Sequence, residues 1–140
     1  MKTNNSRLLA ARKLILLLSG LVACGIAVTI LFAPDSFYMA YGIELAGNTS
    51  LVNELKAPAG VLFVAGLLML AGVVRERLTS AALQVAATIY LAYGASRFLS
   101  FAVDGVPHSA LVGAAAFEIA IGAVCLLALL PDRARLNIQT

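Results

Sequence analysis

Charged residues are scarce in this chain, and their scarcity excludes most soluble folds. Only 12% of the 140 residues are charged, whereas 61% are hydrophobic. A soluble domain is about half apolar and about a quarter charged. The composition therefore indicates a protein whose surface contacts lipid rather than water.

Cysteine and histidine are also sparse, with two cysteines and one histidine in the whole sequence. Cys24 and Cys125 stand alone rather than in a C-x-x-C pair, so no thiol–disulfide exchange motif is present. His108 with Asp104 and Glu118 matches no dedicated zinc-ligand spacing. We therefore predict neither a metal site nor a cofactor.

The hydrophobic residues gather in four runs of about 20 residues, the length that crosses a bilayer as a helix. The runs cover residues 14–33, 55–74, 80–101 and 109–130. They predict an all-α fold, an integral membrane four-helix bundle in a single domain over residues 1–140. Residues 34–53 form too long a connection for a simple turn and are predicted to lie on the outer membrane interface.

The first run allows an alternative, because Leu21-Val22-Ala23-Cys24 looks like a lipobox whose cysteine is lipidated after signal-peptide cleavage. The apolar stretch continues to Phe32, however, beyond the short core of a signal peptide. We favour an uncleaved first helix.

The positions of the basic residues predict the orientation of the bundle. Eight of the ten Lys and Arg residues fall on one side, namely Lys2, Arg7, Arg12, Lys13, Arg75, Arg77, Arg133 and Arg135. The positive-inside rule makes that side cytoplasmic, so both termini are expected inside a multi-pass protein of the bacterial inner membrane. Topology accounts for the net charge of +3, and no nucleic-acid partner is needed.

Arg97 and Glu118 interrupt the apolar runs with charge, and Lys56 lies at the start of the second run. Helix three places Arg97 on one face with a polar stripe, which consists of Tyr90, Tyr93, Ser100 and Asp104. Such a stripe turns toward the bundle interior or a water-filled cavity. Glu118 lies about 13 Å along helix four from its outer end, within reach of the long arginine side chain. We expect Arg97 and Glu118 to face each other.

Further polar residues mark the outer ends of helices two, three and four. Glu54 precedes Pro58, which is tolerated in a first helical turn, and Asp104 and His108 flank the turn into helix four. Together with the stripe they predict an outward-facing polar pocket above the Arg97/Glu118 pair. The candidate ligand-binding residues are Arg97, Glu118, Glu54, Asp104, Tyr93, Tyr90, Ser100 and His108.

Several short stretches resemble a known family. They are Glu54-Leu55-Lys56-Ala57, Ser96-Arg97-Phe98-Leu99-Ser100, Asp104-Gly105-Val106-Pro107 and Phe117-Glu118. They are similar to a bacterial family of small four-helix membrane proteins, the domain of unknown function 4345, and more remotely to the DoxX-like group. The resemblance covers nearly the whole chain after residue 12 and implies the fold and the bacterial inner membrane, but no reaction. The family pattern has an arginine in place of Lys56 and often a glycine in place of Ser96.

Three classes of function fit these residues. The first is a non-enzymatic binding or accessory protein, whose partner is a membrane lipid, a quinone-like ligand or another membrane protein. The second is a proton-linked transporter with Glu118 as the proton carrier, although no inverted repeat supports alternating access. The third is an enzyme on a lipid-soluble substrate, with Glu54, Asp104 or Glu118 as acid or base. We favour the first class.

Overall fold

The computed structural model describes the backbone of residues 2–136 and the side chains of residues 5–130. Its elements in chain order are α1 (Lys2–Phe32), α2 (Pro34–Met39), α3 (Thr49–Val74), a short 3₁₀ turn (Glu76–Leu78), α4 (Thr79–Val103) and α5 (Ser109–Leu136). No strand occurs between residues 2 and 136, so the predicted all-α class is confirmed.

Four helices within the described part of the chain are long and apolar enough to cross a membrane. They cover Asn5–Phe32, Thr49–Val74, Glu76–Val103 and Ser109–Leu130. These spans contain the four apolar runs except for residue 33, and they support a multi-pass membrane protein built as a four-helix bundle.

The helices extend beyond the apolar runs from which they were predicted. The first helix begins at Lys2 rather than residue 14, because polar residues continue a helix readily outside the hydrocarbon. Helix α3, which corresponds to the second apolar run, begins at Thr49 rather than residue 55. The Asn48 side chain caps its start by accepting a hydrogen bond from the Leu51 amide at 3.1 Å. Pro58 therefore lies in the helix interior and not in the first turn. At this interior position it removes one intrahelical hydrogen bond.

The two ends of the bundle differ. We call the end that carries the α3–α4 turn (residues 75–78) the turn end, and the opposite end, with connections 33–48 and 104–108, the loop end. At the turn end Lys13 Nζ lies 3.0 Å from Glu76 Oε1. Arg12, predicted only as a topology signal, is buried and donates from Nε to the Ala128 carbonyl at 3.0 Å. These contacts tie α1 to the α3–α4 turn and to α5.

The core lies toward the turn end. Helix α1 packs mainly along α3 and α4 mainly along α5, while α1 and α4 meet across the centre. Four large side chains are fully buried there, Leu16, Met69, Leu83 and Cys125. Three small residues spaced four apart on α1, Ser19, Ala23 and Ala27, are all buried and form a packing seam.

The connection between α1 and α3 folds back onto the loop end. Leu45 is buried with only 3% of its surface exposed, and it anchors the connection. The Asn48 amide donates to the Leu45 carbonyl at 2.9 Å, closing a tight turn in which Ala46 and Gly47 both have positive φ. The connection thus places α2, with Phe37 and Tyr38, and the following Tyr41 against the loop end of the bundle.

Close approach of α1 and α3 depends on Gly66. A Cβ atom at Gly66 would lie 2.6 Å from Cys24 Sγ and 3.1 Å from the Cys24 backbone nitrogen. We expect Gly66→Ala to destabilise the folded protein by about 1–3 kcal/mol, because the two helices must move apart. Thermal or SDS-induced unfolding of the purified protein measures the change.

Gly60 supplies the matched control on the same helix, since nothing lies within 4 Å of the Cβ that alanine would add there. Gly60→Ala should leave stability unchanged or raise it slightly through better helix propensity. Equal effects of both substitutions would contradict the role of Gly66 in packing.

Candidate binding cavity

A cavity of about 280 Å³ opens between the helices in the loop-end half of the bundle. All four long helices line it, and α2 and the connection after it complete the wall. Most of the lining is aliphatic, with Ile26, Ile30, Leu55, Leu62, Ile89 and Leu111 among its members. A cavity with this lining favours an apolar occupant.

The charged pair Arg97 and Glu118 forms part of the wall. Arg97 Nε lies 3.2 Å from Glu118 Oε1 and 3.0 Å from Oε2. The side chains are 32% and 15% exposed, respectively. The predicted contact between these two residues is therefore confirmed, and both side chains line the cavity.

Two glycines let α4 and α5 approach closely enough for this ion pair. A Cβ at Gly94 would lie 2.7 Å from the Ile119 side chain, and one at Gly122 would lie 2.7 Å from the Leu91 side chain. Gly122 lies four residues after Glu118 on the same face of α5. Sequence reasoning missed Gly94, whose signal was its position three residues before Arg97 on the predicted face.

The ion pair uses one nitrogen of the guanidinium. Both hydrogen bonds to Glu118 come from Nε, and neither Nη group of Arg97 has a hydrogen-bond partner among the described residues. An arginine carries five N–H donors, of which four are on the Nη groups. The cavity wall therefore contains a fixed cation with donors to spare.

All four tyrosines of the chain line the cavity. Tyr90, predicted on the polar stripe, is buried and donates its hydroxyl to the Ser19 carbonyl at 2.7 Å, which ties α4 to α1. Tyr93, also predicted there, lines the cavity without a hydrogen bond in the described part of the chain. These two residues and the ion pair are the candidates that the fold brings together.

Phe37, Tyr38 and Tyr41 complete the wall at the loop end. The Phe37 ring stacks edge-on with each tyrosine at 5.2 Å between centroids. Burial raises the pKa of the Tyr38 hydroxyl, Tyr93 and Tyr41 raise it further, and the positive charge of Arg97 opposes them. Tyr38 thus remains a protonated donor at neutral pH. The sequence placed these aromatic residues at the membrane interface and missed their role in the cavity wall.

The other candidate residues lie outside the cavity lining. Ser100 and Asp104 are exposed and hydrogen-bonded to each other at 2.9 Å. His108 is exposed and accepts the Ala110 amide at 3.3 Å through Nδ1, at the start of α5. Glu54 is exposed on α3. The expected polar vestibule is therefore not the wall of this cavity, which is apolar apart from the tyrosines and the ion pair.

The described residues contain no group of three His, Cys, Asp or Glu side chains close enough to hold a metal ion. Cys125 is buried with its sulfur 3.9 Å from Ser19 Oγ, and Cys24 lies against the Phe63 carbonyl on another face of α1. Both cysteines are free and pack as small apolar side chains.

The ion pair predicts a specific pattern in a double-mutant cycle. Arg97→Met or Glu118→Met alone should each destabilise the protein by about 2–3 kcal/mol, because an uncompensated charge remains half-buried. The double variant should return to within about 1 kcal/mol of the native protein. SDS titration in mixed micelles measures all four unfolding free energies.

Ser100→Ala is the control on the same helix, since Ser100 is exposed, and it should change stability by less than about 0.5 kcal/mol. If the double variant is as unstable as the sum of the single variants, the two side chains do not compensate each other.

Comparison with known proteins identifies a family and nothing beyond it. No curated protein and no solved structure matches the chain. A family model described as a domain of unknown function (DUF4345) matches residues 11–129, a range that contains every residue of the cavity wall. The resemblance noted in the sequence is confirmed on this point, and the chain belongs to the DUF4345 family.

Proposed function

We propose that the protein binds a small lipid-soluble molecule in the cavity at its loop end and does not catalyse a reaction on it. The observation that carries this proposal is an apolar cavity of about 280 Å³ whose wall includes Arg97 with free Nη donors. Apolar pockets with a few well-placed polar groups are the usual form of ligand sites. A membrane lipid and a quinone-like molecule both have the required apolar body and oxygen acceptors.

The positions of the carboxylates favour a binding protein over an enzyme. General acid–base chemistry needs titratable groups within hydrogen-bond reach of one substrate atom. Glu118 is held at both oxygens by Arg97, and Glu54 and Asp104 are exposed outside the cavity lining. The site therefore resembles a binding pocket more than a pair of acid and base.

A proton-linked transporter is also less well supported. Transport requires access from both sides of the membrane, but the turn-end half of the bundle is closely packed. Leu16, Met69 and Leu83 are fully buried on three different helices there. This packing closes the path from the cavity to the turn end.

The charge distribution supports a proposal for the orientation of the protein in the membrane. The basic residues 75 and 77 and those of the first part of α1 share the turn end, as the Lys13–Glu76 contact demonstrates. We propose that this end is cytoplasmic, with both termini inside, in the inner membrane of a bacterium. The cavity then opens toward the outer leaflet.

Thiol labelling tests the orientation. Glu54→Cys should react with a membrane-impermeant maleimide added to intact cells, because Glu54 is exposed at the loop end. Arg75→Cys, exposed at the turn end, should react only after the membrane is permeabilised. The reverse pattern would place the cavity on the cytoplasmic side.

Filling the cavity tests the proposed binding. Ala59 lines the cavity, so Ala59→Leu adds three carbon atoms at the wall of the space that a ligand would occupy. We expect native mass spectrometry after gentle extraction to find a retained small molecule on the native protein and at least about tenfold less on Ala59→Leu. Thermal unfolding checks that Ala59→Leu folds, because Ala59 is only 2% exposed and the larger side chain also contacts its neighbours.

Ala57→Leu is the matched control, since Ala57 is exposed on the same helix and does not line the cavity. It should retain the small molecule at the native level. A bare native protein, or equal retention by both variants, would contradict binding in the cavity. A stoichiometric protein partner in place of the small molecule would instead favour an accessory subunit.

A further inference from the structure

We propose that the ligand of the cavity is an uncharged single-chain or single-ring amphiphile whose carbonyl or ester oxygen accepts hydrogen bonds from Arg97. This inference rests on the proposed function, that the cavity binds a lipid-soluble molecule. It adds the charge and the hydrogen-bonding character of that molecule, which decide which membrane components can bind.

The charge of the ligand follows from the charge balance of the wall. Arg97 and Glu118 are the two charged side chains that line the cavity, and they neutralise each other at 3.0 Å. An anionic head group would leave one uncompensated negative charge in a mainly apolar space, which is costly at low dielectric. A cationic head group would leave an uncompensated positive charge beside Arg97. A neutral head group keeps the balance.

The hydrogen-bonding character follows from the donors that remain. The Nη groups of Arg97 have no partner among the described residues, and neither do the hydroxyls of Tyr38 and Tyr93 on the same wall. Tyr90, by contrast, already donates to Ser19. A hydrogen bond from a charged donor is stronger than one between neutral groups. An oxygen acceptor without its own proton, such as a carbonyl or ester, uses these donors best.

The size of the cavity limits the rest of the molecule. Its volume of about 280 Å³ lies just below the range of ligand pockets, which is about 300 to 1,000 Å³. Two acyl chains with a phosphate head do not fit such a volume. One short chain or one ring fits, surrounded by aliphatic side chains such as Ile26, Leu62 and Ile89.

Tyrosine fluorescence offers a direct test, because the chain has no tryptophan and all four tyrosines line the cavity. The probes are methyl 8-bromooctanoate and 8-bromooctanoate, which share one chain and differ in head-group charge. Bromine quenches a fluorophore on contact. Both probes are titrated into proteoliposomes at about pH 9, where the acid is ionised. Binding is plotted against the mole fraction of probe in the bilayer. A difference between the two probes in partitioning from water into lipid then does not affect the comparison.

We expect the ester to quench saturably and to bind at least about tenfold more tightly than the ionised acid. Arg97→Lys keeps the positive charge opposite Glu118 but loses the planar Nη donors, so it should weaken ester binding by about tenfold. Asp104→Asn, outside the cavity lining, serves as the control and should bind the ester like the native protein.

Three outcomes would count against the inference. If the ionised acid binds as tightly as the ester, the ligand is not selected for neutrality, although the cavity still binds a lipid. If Arg97→Lys binds the ester as the native protein does, the Nη donors do not hold the head group. If neither probe quenches saturably, or if Ala59→Leu leaves ester quenching unchanged, the inference and the proposed function both fail.

Discussion

The architecture of the cavity depends on the ion pair between Arg97 and Glu118. A guanidinium and a carboxylate in a membrane span are each unfavourable alone, and at 3.0 Å each removes the cost of the other. The contact requires α4 and α5 to approach closely, which the missing side chains of Gly94 and Gly122 allow. The same pair then places a cation with free donors on the wall of an apolar cavity.

The bundle has two halves with different packing. Toward the turn end, small residues and Leu16, Met69, Leu83 and Cys125 fill the space between the helices. Toward the loop end, α2 and the following turn cover the helices with aromatic rings and leave a cavity beneath them. Tyr90 lies at the boundary, where its hydroxyl holds α4 against the backbone of α1. A closely packed half therefore adjoins a half that contains a cavity, an arrangement suited to binding from one side.

The proposed function uses each part of this arrangement. The closed turn end separates the cavity from the opposite membrane face, while the aliphatic walls accept an apolar body. The neutral ion pair offers hydrogen-bond donors without a net charge. The proposed function therefore rests on selection of a ligand by its polarity and its size.

The sequence by itself determined that the chain is a membrane protein, that it has four spanning helices and that Arg97 and Glu118 face each other. Each follows from local rules, namely the length of apolar runs, helical periodicity and the cost of isolated charges in lipid. Helix bounds were less predictable, because the Asn48 cap and the polar start of α1 add helical residues outside the hydrocarbon. Tertiary structure alone decided which polar residues share the cavity. Two residues of the predicted polar stripe, Ser100 and Asp104, lie outside the lining, although Tyr93 of the same stripe is part of it. Glu54 and His108, predicted from their positions at helix ends, also lie outside it. Tyr38 and Tyr41 entered it because the connection folds back through the buried Leu45, a long-range contact that no local periodicity encodes.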